Sequence, residues 1–280
     1  MGDIRRDMKC YYHNDMDGHC AGAIIKDAFP ACEMIEMSYD KIFDWNVVTK
    51  GEMVFMVDFC LQPFSDMIKL KGMCDLVWID HHITAINDYI KSGEDILGML
   101  GTDKAGCELT WEYIHNKKLP QAVELIGRYD VWDHSDKKTI PFQYGMKSFN
   151  TIPDNQEIWK ELFKSDKMID SICFKGKSIL SYIEKENEVL IDSSAYFINI
   201  EGYKAVVLNV LYKNSQVFDS VKDDYDIMIC YGYTGNLWTI SLYTTKDDID
   251  VSIIAKKYGG GGHHNAAGCQ VHDIGFLLNE

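Results

Sequence analysis

The feature that most constrains this chain is the alternation of short apolar runs with stretches of helical spacing across its first 150 residues. The apolar runs have the composition of buried strands, and the other stretches repeat apolar residues at helical intervals. Strands that alternate with helices favour a parallel sheet covered on both faces, so the sequence predicts an α/β fold. The predicted strands are 9–14, 53–59 and 75–80, and the predicted helices are 18–29, 106–116 and 121–130.

The pattern changes after residue 150. From 151 to 196, charged residues are interleaved with spaced apolar ones, which predicts a helical connector containing one long helix. Strand patterns return from 197 to 280, with a hairpin over 226–245 and then a helix over 250–258. We therefore predict a larger parallel-sheet domain over 1–150 and a smaller mixed-sheet α/β domain over 197–280, joined by the connector.

The charge balance limits the partners. Lys and Arg number 28 while Asp and Glu number 43, which gives a formal net charge of −15. Binding to long duplex nucleic acid depends on many Lys and Arg contacts to phosphates, so the composition argues against that partner. A small anionic substrate is compatible with this charge if metal ions supply positive charge. Hydrophobic residues make up 46% of the chain, which is enough for a packed core.

The nine cysteines are scattered, and no two of them have C-x-x-C spacing. This argues against a zinc ribbon and a disulfide framework, so we expect most of them to be buried in a reducing compartment. The N-terminus lacks an apolar signal core, and no apolar run reaches the roughly 18 residues of a membrane span. The sequence therefore predicts a cytoplasmic protein with no membrane partner.

The first candidate site is YYHNDMDGHC, in which His13, Asp15 and Asp17 follow an apolar strand. Alternate residues at a strand end can converge on one cation, and imidazole with carboxylate suits Mn²⁺ or a similar ion. An EF-hand is excluded, because the first and twelfth positions are His13 and Ile24 instead of Asp and Glu. A haloacid-dehalogenase-type phosphatase, a D-x-D glycosyltransferase and a solvated helix-capping turn remain open from this segment alone.

Three more candidate positions end predicted strands or a predicted helix. Asp58 closes the run MVFMVD, and its position alone favours a helix cap over a metal ligand. Asp80, His81 and His82 close VWIDHH, where three adjacent ligand-type residues fit neither a core nor an ordinary loop. Asp130, by itself, is an ordinary helix-end carboxylate.

The last candidate is the run Gly259–Gly262 with His263. Four consecutive glycines are costly in conformational entropy, so we expect the backbone to approach something closely here. Successive N–H groups could also form an anion-binding nest, with His263 as an additional donor.

In combination, H-x-D-x-D-G, a strand-end Asp, D-H-H, a later Asp and GGGGH-x-x-A-A-G resemble the DHH–DHHA1 phosphoesterase superfamily, in the family's order and over nearly the whole chain. That family includes RecJ-type exonucleases, nano-RNA and oligoribonuclease enzymes, cyclic-dinucleotide phosphodiesterases and, without the same C-terminal motif, family II pyrophosphatases. The resemblance implies a DHH metal-binding catalytic domain over 1–150 and a DHHA1 substrate-binding domain over 197–280.

The resemblance also implies roles for residues. It implies two divalent cations, Mn²⁺ ahead of Mg²⁺ or Co²⁺, with Asp58 as the bridge between them. Asp80 would orient the DHH histidines or touch the site directly, and His82 would face the substrate phosphate. His82 or Arg128 could stabilise the negative charge that develops as the phosphoester is hydrolysed. The implied metal ligands are His13, Asp15, Asp17, Asp58, His81 and Asp130.

In the second domain, the resemblance implies that Gly260, Gly261, Gly262 and His263 hold the far end of the substrate across a cleft. The chain departs from related branches in two places. His13 stands two residues before Asp15 instead of four, and the strand before the glycine-rich helix has Tyr243 where those branches often carry Arg. The ligand role of His13 and the substrate preference are the points that these departures affect.

The resulting function is a metal-dependent phosphodiesterase that uses a metal-activated water on short oligonucleotides, dinucleotides or small bis-phosphorylated nucleotides. The alternatives are a pyrophosphatase or polyphosphatase, and a nucleotide-binding protein without catalysis. A homodimer is compatible with the sequence.

Trp132, which stands two residues after Asp130, is expected to pack in the core in preference to stacking on a base.

Overall fold

The chain folds into two units that each contain one β-sheet. The structure is a computed structural model that describes residues 7–39, 41–115 and 117–278. Contacts within the chain divide it into unit 1 (Met1–Leu180) and unit 2 (Ser181–Glu280). The predicted domain limits at 150 and 197 stay predictions.

Unit 1 contains a five-stranded sheet in the order β2-β1-β3-β4-β5, and every pair of neighbouring strands is parallel. This confirms the predicted parallel-sheet α/β fold and the three predicted strands. The two edge strands, β2 and β5, escape sequence analysis because most of their residues are at least partly exposed, so neither contributes a buried apolar run like that of β3. The strands are β1 (Met8–His13), β2 (Glu33–Met37), β3 (Met53–Val57), β4 (Asp75–Asp80) and β5 (Leu97–Leu100).

Helices cover both faces of this sheet. Because successive side chains of a strand point to opposite faces, Phe55 and Val57 of β3 join one hydrophobic cluster while Val54 and Met56 join the other. Burial of each such side chain contributes about 1.5–3 kcal/mol. The helices whose range starts in unit 1 are α1 (Met16–Ala28), α2 (Ser65–Met73), α3 (Ile83–Ser92), α4 (Gly106–Ile114), α5 (Gln121–Asp130), α6 (Thr139–Met146), α7 (Gln156–Lys164) and α8 (Ile169–Ser194).

The strand order decides where polar groups meet. β1, β3 and β4 are adjacent, so their carboxyl ends lie side by side at one edge of the sheet. Those ends carry His13, Asp58 and Asp80, and parallel α/β sheets form their sites at this edge.

Unit 2 contains a mixed six-stranded sheet in the order β10-β11-β9-β8-β7-β6, as predicted for the smaller domain. Only β7 and β8 pair in parallel among its described strands. The predicted hairpin is β8–β9, and its turn includes Gly235 at φ +97°. The elements are β6 (Tyr196–Ile200), β7 (Tyr203–Asn209), β8 (Ile227–Tyr233), β9 (Trp238–Tyr243), α9 (Val251–Lys257), β10 (Gly261–Gly262), β11 (Ala266–Val271) and α10 (Gly275–Leu278).

All nine cysteines are buried and free, which confirms the expectation that they are core residues outside a disulfide framework. Among the helices of the described residues, none combines the length and the apolar character needed to cross a membrane.

Candidate functional site

The segment after β1 places two carboxylates at the edge of the sheet in different ways. Asp15 is the N-cap of α1, because its Oδ1 accepts a hydrogen bond from the Gly18 N–H at 2.9 Å. Its Oδ2 lies 2.7 Å from His13 Nδ1. The helix-capping interpretation of this segment is therefore correct for Asp15, but the cap does not use the second carboxylate oxygen.

Asp17 lies in the first turn of α1 and is buried. Its two oxygens accept hydrogen bonds from the backbone N–H groups of Gly106 at 2.7 Å and Cys107 at 2.8 Å. These donors are at the start of α4, where helical N–H groups have no partner within the helix. The N-terminus of α4 therefore holds this carboxylate in the site.

Asp58 follows β3 directly and has the most unusual environment in the site. It is 1% exposed, and neither carboxylate oxygen accepts a hydrogen bond from a described residue. Its φ of +53° is left-handed, a conformation that costs a non-glycine residue about 1–3 kcal/mol. Because α2 begins only at Ser65 and has no side-chain cap, the helix-cap interpretation of Asp58 is wrong.

Asp80, at the end of the neighbouring strand β4, is also buried but fully engaged. Its Oδ1 accepts hydrogen bonds from the N–H groups of His81 at 2.7 Å and His82 at 3.2 Å, and lies 2.7 Å from His82 Nδ1. Its Oδ2 accepts from Trp78 Nε1 at 3.2 Å. These contacts fix the backbone of the two histidines and the ring of His82.

His81 lies among three carboxylates. Its Nε2 is 3.2 Å from Asp58 Oδ1, 3.3 Å from Asp130 Oδ2 and 3.7 Å from Asp17 Oδ2. Asp130 reaches this position as the last residue of α5. The structure thus brings a helix-end carboxylate, unremarkable in the sequence, into the centre of the site.

Three groups of residues have ligand-type atoms within 4.8 Å of one another. Asp58 belongs to two of these groups, and so does His81. All six sequence-predicted metal ligands take part, together with His82. The groups are His13, Asp15 and Asp58; Asp58, His81 and His82; and Asp17, His81 and Asp130.

The carboxylates of this cluster repel one another in the absence of cations. Burial, followed by the charge of neighbouring carboxylates, raises the pKa of Asp58 and of Asp17 well above the ordinary value. The same two causes raise the pKa of Asp130 to about 7. Without cations, the positive groups around the cluster therefore do not balance the negative charge of its carboxylates.

The histidine pKa values respond to that charge. Burial alone would lower the pKa of His13, but Asp15 and Asp58 raise it to about 10. In return, His13 and the Gly18 N–H lower the pKa of Asp15 against the effect of burial. Asp80 raises the pKa of His82 in the same way, again against burial.

These residues fit a divalent cation. The buried Asp58 oxygens accept no hydrogen bond from a described residue, and the cluster offers hard carboxylate oxygens with imidazole nitrogens, a set that suits Mn²⁺ and similar ions. Gly106 keeps this space open, because a Cβ there would lie 2.7 Å from Asp58 Cβ and 3.0 Å from Asp17 Oδ2. Sequence analysis missed Gly106, whose only signal is its position at the start of a helix.

Arg128 stands two residues before Asp130 on α5, but its side chain is engaged elsewhere. Its guanidinium donates to Glu124 Oε1 at 3.0 Å, to Asp133 Oδ2 at 2.8 Å and to Ser135 Oγ at 3.1 Å. Its role toward a substrate stays a prediction. Trp132 is 58% exposed with φ +62°, so its predicted core packing is wrong.

In unit 2, the glycine run connects α9 to β10. Gly259 donates its N–H to Lys256 O at 3.1 Å and Gly260 donates to Ala255 O at 2.9 Å, which terminates α9. His263 donates its backbone N–H to Ala266 O at 2.8 Å. These three N–H groups are therefore not available for the anticipated anion nest, and substrate binding by this segment stays a prediction.

The expected close backbone approach at this run is confirmed, and the partner is β11 of the same unit. A Cβ on Gly260 would lie 2.0 Å from Gly268 O, and a Cβ on Gly262 would lie 2.5 Å from Ala267 Cα. Packing within unit 2 therefore explains these two glycines. The side chain of His263 is exposed.

Comparison with family models gives no match. Two curated proteins are similar in sequence. An uncharacterised protein of Acanthamoeba polyphaga mimivirus is 29% identical over 243 residues, which is 82% of this chain and 54% of the relative. Oligoribonuclease NrnB of Bacillus subtilis (strain 168) is 24% identical over 311 aligned positions, covering 96% of this chain and 74% of the relative. This chain thus spans about half the length of the viral relative.

Solved structures with the same fold include the DHH domain of a member of the s1p family of ribosomal proteins, with a TM-score of 0.61 and 14% identity over 95% of this chain and 83% of that one. The pGpG-specific phosphodiesterase PggH of Vibrio cholerae has a TM-score of 0.55 and 13% identity, over 95% and 94% of the two chains. Exonuclease RecJ bound to manganese has a TM-score of 0.53 and 12% identity, over 98% and 87%.

Proposed function

The chain has the fold and the ordered motifs of the DHH–DHHA1 phosphoesterases, and on that basis we propose that it is a metal-dependent phosphodiesterase. Its substrates are short oligonucleotides, dinucleotides or small bis-phosphorylated nucleotides. The observation that carries the proposal is the buried, strained Asp58, whose oxygens accept no hydrogen bond from a described residue and lie near the ligand-type nitrogens of His13 and His81. This substrate class is supported by two similarities: an oligoribonuclease is related to the chain in sequence, and a pGpG-specific phosphodiesterase shares its fold.

The cation ligands are His13, Asp15, Asp17, Asp58, His81 and Asp130, and the preferred ion is Mn²⁺, with Mg²⁺ or Co²⁺ as substitutes. Two such ions would neutralise phosphate charge and lower the pKa of bound water from about 15.7 toward 7. Asp17 and Asp130 both offer a carboxylate oxygen within 4 Å of His81 Nε2, and Asp58 connects that group to His13 and Asp15. Because the cluster carries excess negative charge, we infer that these side chains bind cations and do not serve only to stabilise the fold.

His82 is the residue best suited to contact the substrate. Asp80 faces its Nδ1 and raises its pKa, so the ring is held in orientation and its protonated form is favoured. A protonated ring can donate to a phosphate oxygen or to the leaving oxygen through its other nitrogen. Asp80 acts as the positioning residue, and Arg128 is a second cation that could move to the substrate from its acidic partners.

The preferred substrate is short. The net charge of −15 argues against many phosphate contacts along a strand. Gly260, Gly261, Gly262 and His263 are the residues proposed to bind the substrate in unit 2, with the exposed His263 side chain as the contact group. We infer a cytoplasmic location from the nine free cysteines, and a homodimer is compatible with this assignment.

The test is to incubate metal-depleted protein with Mn²⁺, Mg²⁺ or Co²⁺ and a substrate panel. The panel contains di- to tetraribonucleotides, a 30-mer, a cyclic dinucleotide, adenosine 3′,5′-bisphosphate and pyrophosphate. We expect Mn²⁺-dependent turnover of the short nucleotides at a rate about ten-fold or more above that of the 30-mer. Preferred hydrolysis of pyrophosphate would replace the proposal with a pyrophosphatase, and nucleotide binding without turnover would indicate a silent binding protein.

A further inference from the structure

A pocket of about 310 Å³ opens beside the acidic cluster within unit 1. Its walls come from the end of β2, the loop that follows it and the segment after β3. This volume is at the lower end of the range of ligand pockets, about 300–1,000 Å³, which suits one planar ring system better than a whole dinucleotide. Aromatic side chains that line it are Tyr39, Phe43, Trp45 and Phe59.

The pocket and the acidic cluster share a wall. Phe59 follows Asp58 in the chain, and its ring is stacked against that of His13 with centroids 5.9 Å apart. The Tyr39 ring lies 4.8 Å from Phe59 and 5.7 Å from His13, centroid to centroid. A group bound against Tyr39 is therefore adjacent to the residues proposed to hold the phosphate.

The aromatic side chains differ in exposure in a way that leaves a binding face open. Phe43 and Phe59 are buried and form part of the hydrophobic core, whereas Tyr39 is 54% exposed. Its neighbour in the loop, Ile42, is almost fully exposed as well. Exposed aromatic rings next to a phosphate site are the platforms on which proteins stack bases of single-stranded nucleic acids.

Polar groups complete the rim. Lys41, Gln62 and Asp66 line the pocket and supply both donors and acceptors. The Lys41 ammonium donates to Glu36 O at 3.2 Å and Glu36 Oε1 at 3.3 Å, so its position is supported by the end of β2. An apolar floor with a mixed polar rim matches a heterocycle that has hydrogen-bonding edges, and it does not match a simple sugar or an alkyl chain.

We propose that this pocket binds a nucleobase of the substrate, with Tyr39 as the stacking platform and the polar rim groups contacting the edge of the base. The inference rests on the proposed function, because it takes the acidic cluster as the phosphate site. It assigns base recognition to a loop of unit 1 that none of the sequence motifs includes.

The first experiment separates base binding from phosphate chemistry. The kcat/KM of Tyr39→Ala, Tyr39→Phe and the unmodified protein is measured on a dinucleotide and on its two singly abasic analogues. We expect Tyr39→Ala to reduce kcat/KM for the intact dinucleotide about ten-fold or more, and to reduce it much less for one abasic analogue. Tyr39→Phe keeps the ring and should retain most of the activity. Phe174→Ala, which removes an exposed aromatic ring on α8, is the matched control.

Equal losses on intact and abasic substrates would overturn the base pocket while leaving the proposed phosphodiesterase function intact. A second readout does not depend on catalysis. In Mn²⁺, titration with adenosine 5′-monophosphate should change the fluorescence of Trp45, a signal absent from Trp45→Phe, whereas ribose 5-phosphate should not. If the protein shows this response and hydrolyses nothing, the pocket stands and the proposed function fails; equal responses to both ligands would contradict the pocket.

Discussion

The acidic cluster of unit 1 and the glycine run of unit 2 are both conspicuous in the sequence, but the structure explains them to different degrees. In unit 2, contacts inside the unit account for the unusual residues: Gly260 and Gly262 lie against β11, and the N–H of Gly260 ends α9. In unit 1, neither oxygen of the buried Asp58 carboxylate accepts a hydrogen bond from a described residue, and the His13 and His81 rings lie near it. A feature that its own surroundings leave unexplained is the stronger indication of a ligand.

The acidic cluster and the glycine run also differ in backbone strain. Gly259 and Gly262 have φ values of +77° and +142°, which glycine adopts at little steric cost. Asp58 has a φ of +53° without that freedom, and such strain persists at sites where surrounding structure enforces it. The neighbouring Asp80 makes the contrast sharper, because it is equally buried and yet accepts hydrogen bonds from three different residues.

The largest expected effect is that of Asp58→Asn. Loss of partners outside the ligand shell typically costs 10–100-fold in metal affinity or activity, so loss of a shared ligand should reduce metal-dependent hydrolysis by more than about 100-fold. Without metal, the variant should unfold at the same or higher urea concentration, because a buried charge has been removed. Asp88→Asn, which changes an exposed carboxylate on α3, is the control. Near-normal Mn²⁺-dependent turnover by Asp58→Asn would refute its assignment as a ligand.

Asp80→Asn should have the opposite effect on stability. It weakens hydrogen bonds to two backbone N–H groups and to the indole of Trp78, so we expect a loss of about 1–3 kcal/mol in the free energy of unfolding. Activity should fall about 10–100-fold, and the pKa of His82 should decrease toward its ordinary value. Urea unfolding and NMR titration of the His82 ring measure the two changes. An unchanged His82 pKa would argue against the positioning role.

His263→Ala tests whether the glycine run contacts the substrate after all. If the exposed His263 ring binds nucleotide, kcat/KM for a dinucleotide should fall about ten-fold, the size expected for one lost charge-assisted hydrogen bond. Hydrolysis of a minimal aryl phosphate should fall less. His272→Ala removes another exposed histidine of unit 2 and serves as the control. Equal losses on both substrates would leave the run with a purely structural explanation.

Two adjacent glycines test that structural explanation directly. A Cβ on Gly260 would collide with Gly268 O, whereas a Cβ on Gly261 has no described atom within 4 Å. Gly260→Ala should therefore lower the free energy of unfolding of unit 2 by about 1–3 kcal/mol, and Gly261→Ala by much less. Thermal unfolding of the two variants measures the difference. Equal stability would mean that the close contact with β11 does not explain the first glycine.

The smallest expected effect is a pH dependence of metal-free stability. A carboxyl group whose pKa is raised in the folded state binds more protons there than in the unfolded state, so stability decreases as pH rises from about 4 through the folded pKa. For Asp130 that pKa is about 7, and Asp17 and Asp58 act in the same direction. The raised pKa values of His13 and His82 have the same effect, so the stability of the folded state continues to decrease above pH 6.5.

We therefore expect the Tm of the metal-free protein to fall by a few degrees between pH 5 and pH 8, and Mn²⁺ to raise the Tm more at pH 8. In the presence of EDTA, the Tm of Asp130→Asn should depend less steeply on pH than the Tm of the unmodified protein. An equal slope in the variant and the unmodified protein would exclude Asp130 as a contributor.

Much of this architecture could be predicted from sequence, because the signals are local. Apolar runs identified the three central strands, and helical spacing identified α1, α4, α5 and α9. The positions of Asp58 and Asp80 at strand ends followed from the same pattern. The two edge strands of unit 1 were missed, since half-exposed strands lack a strong apolar signal.

The sequence by itself determined which strand-end groups reach the carboxyl edge of the sheet, since strand boundaries and the alternation of side chains are local properties of the chain. Only the tertiary structure decided what those groups contact. The contact of Asp17 with the start of α4, the position of Asp130 beside His81 and the position of Tyr39 beside His13 depend on which elements become neighbours. Those neighbours come from distant parts of the chain, so the presence or absence of a partner for a given carboxylate is decided by packing and not by local sequence.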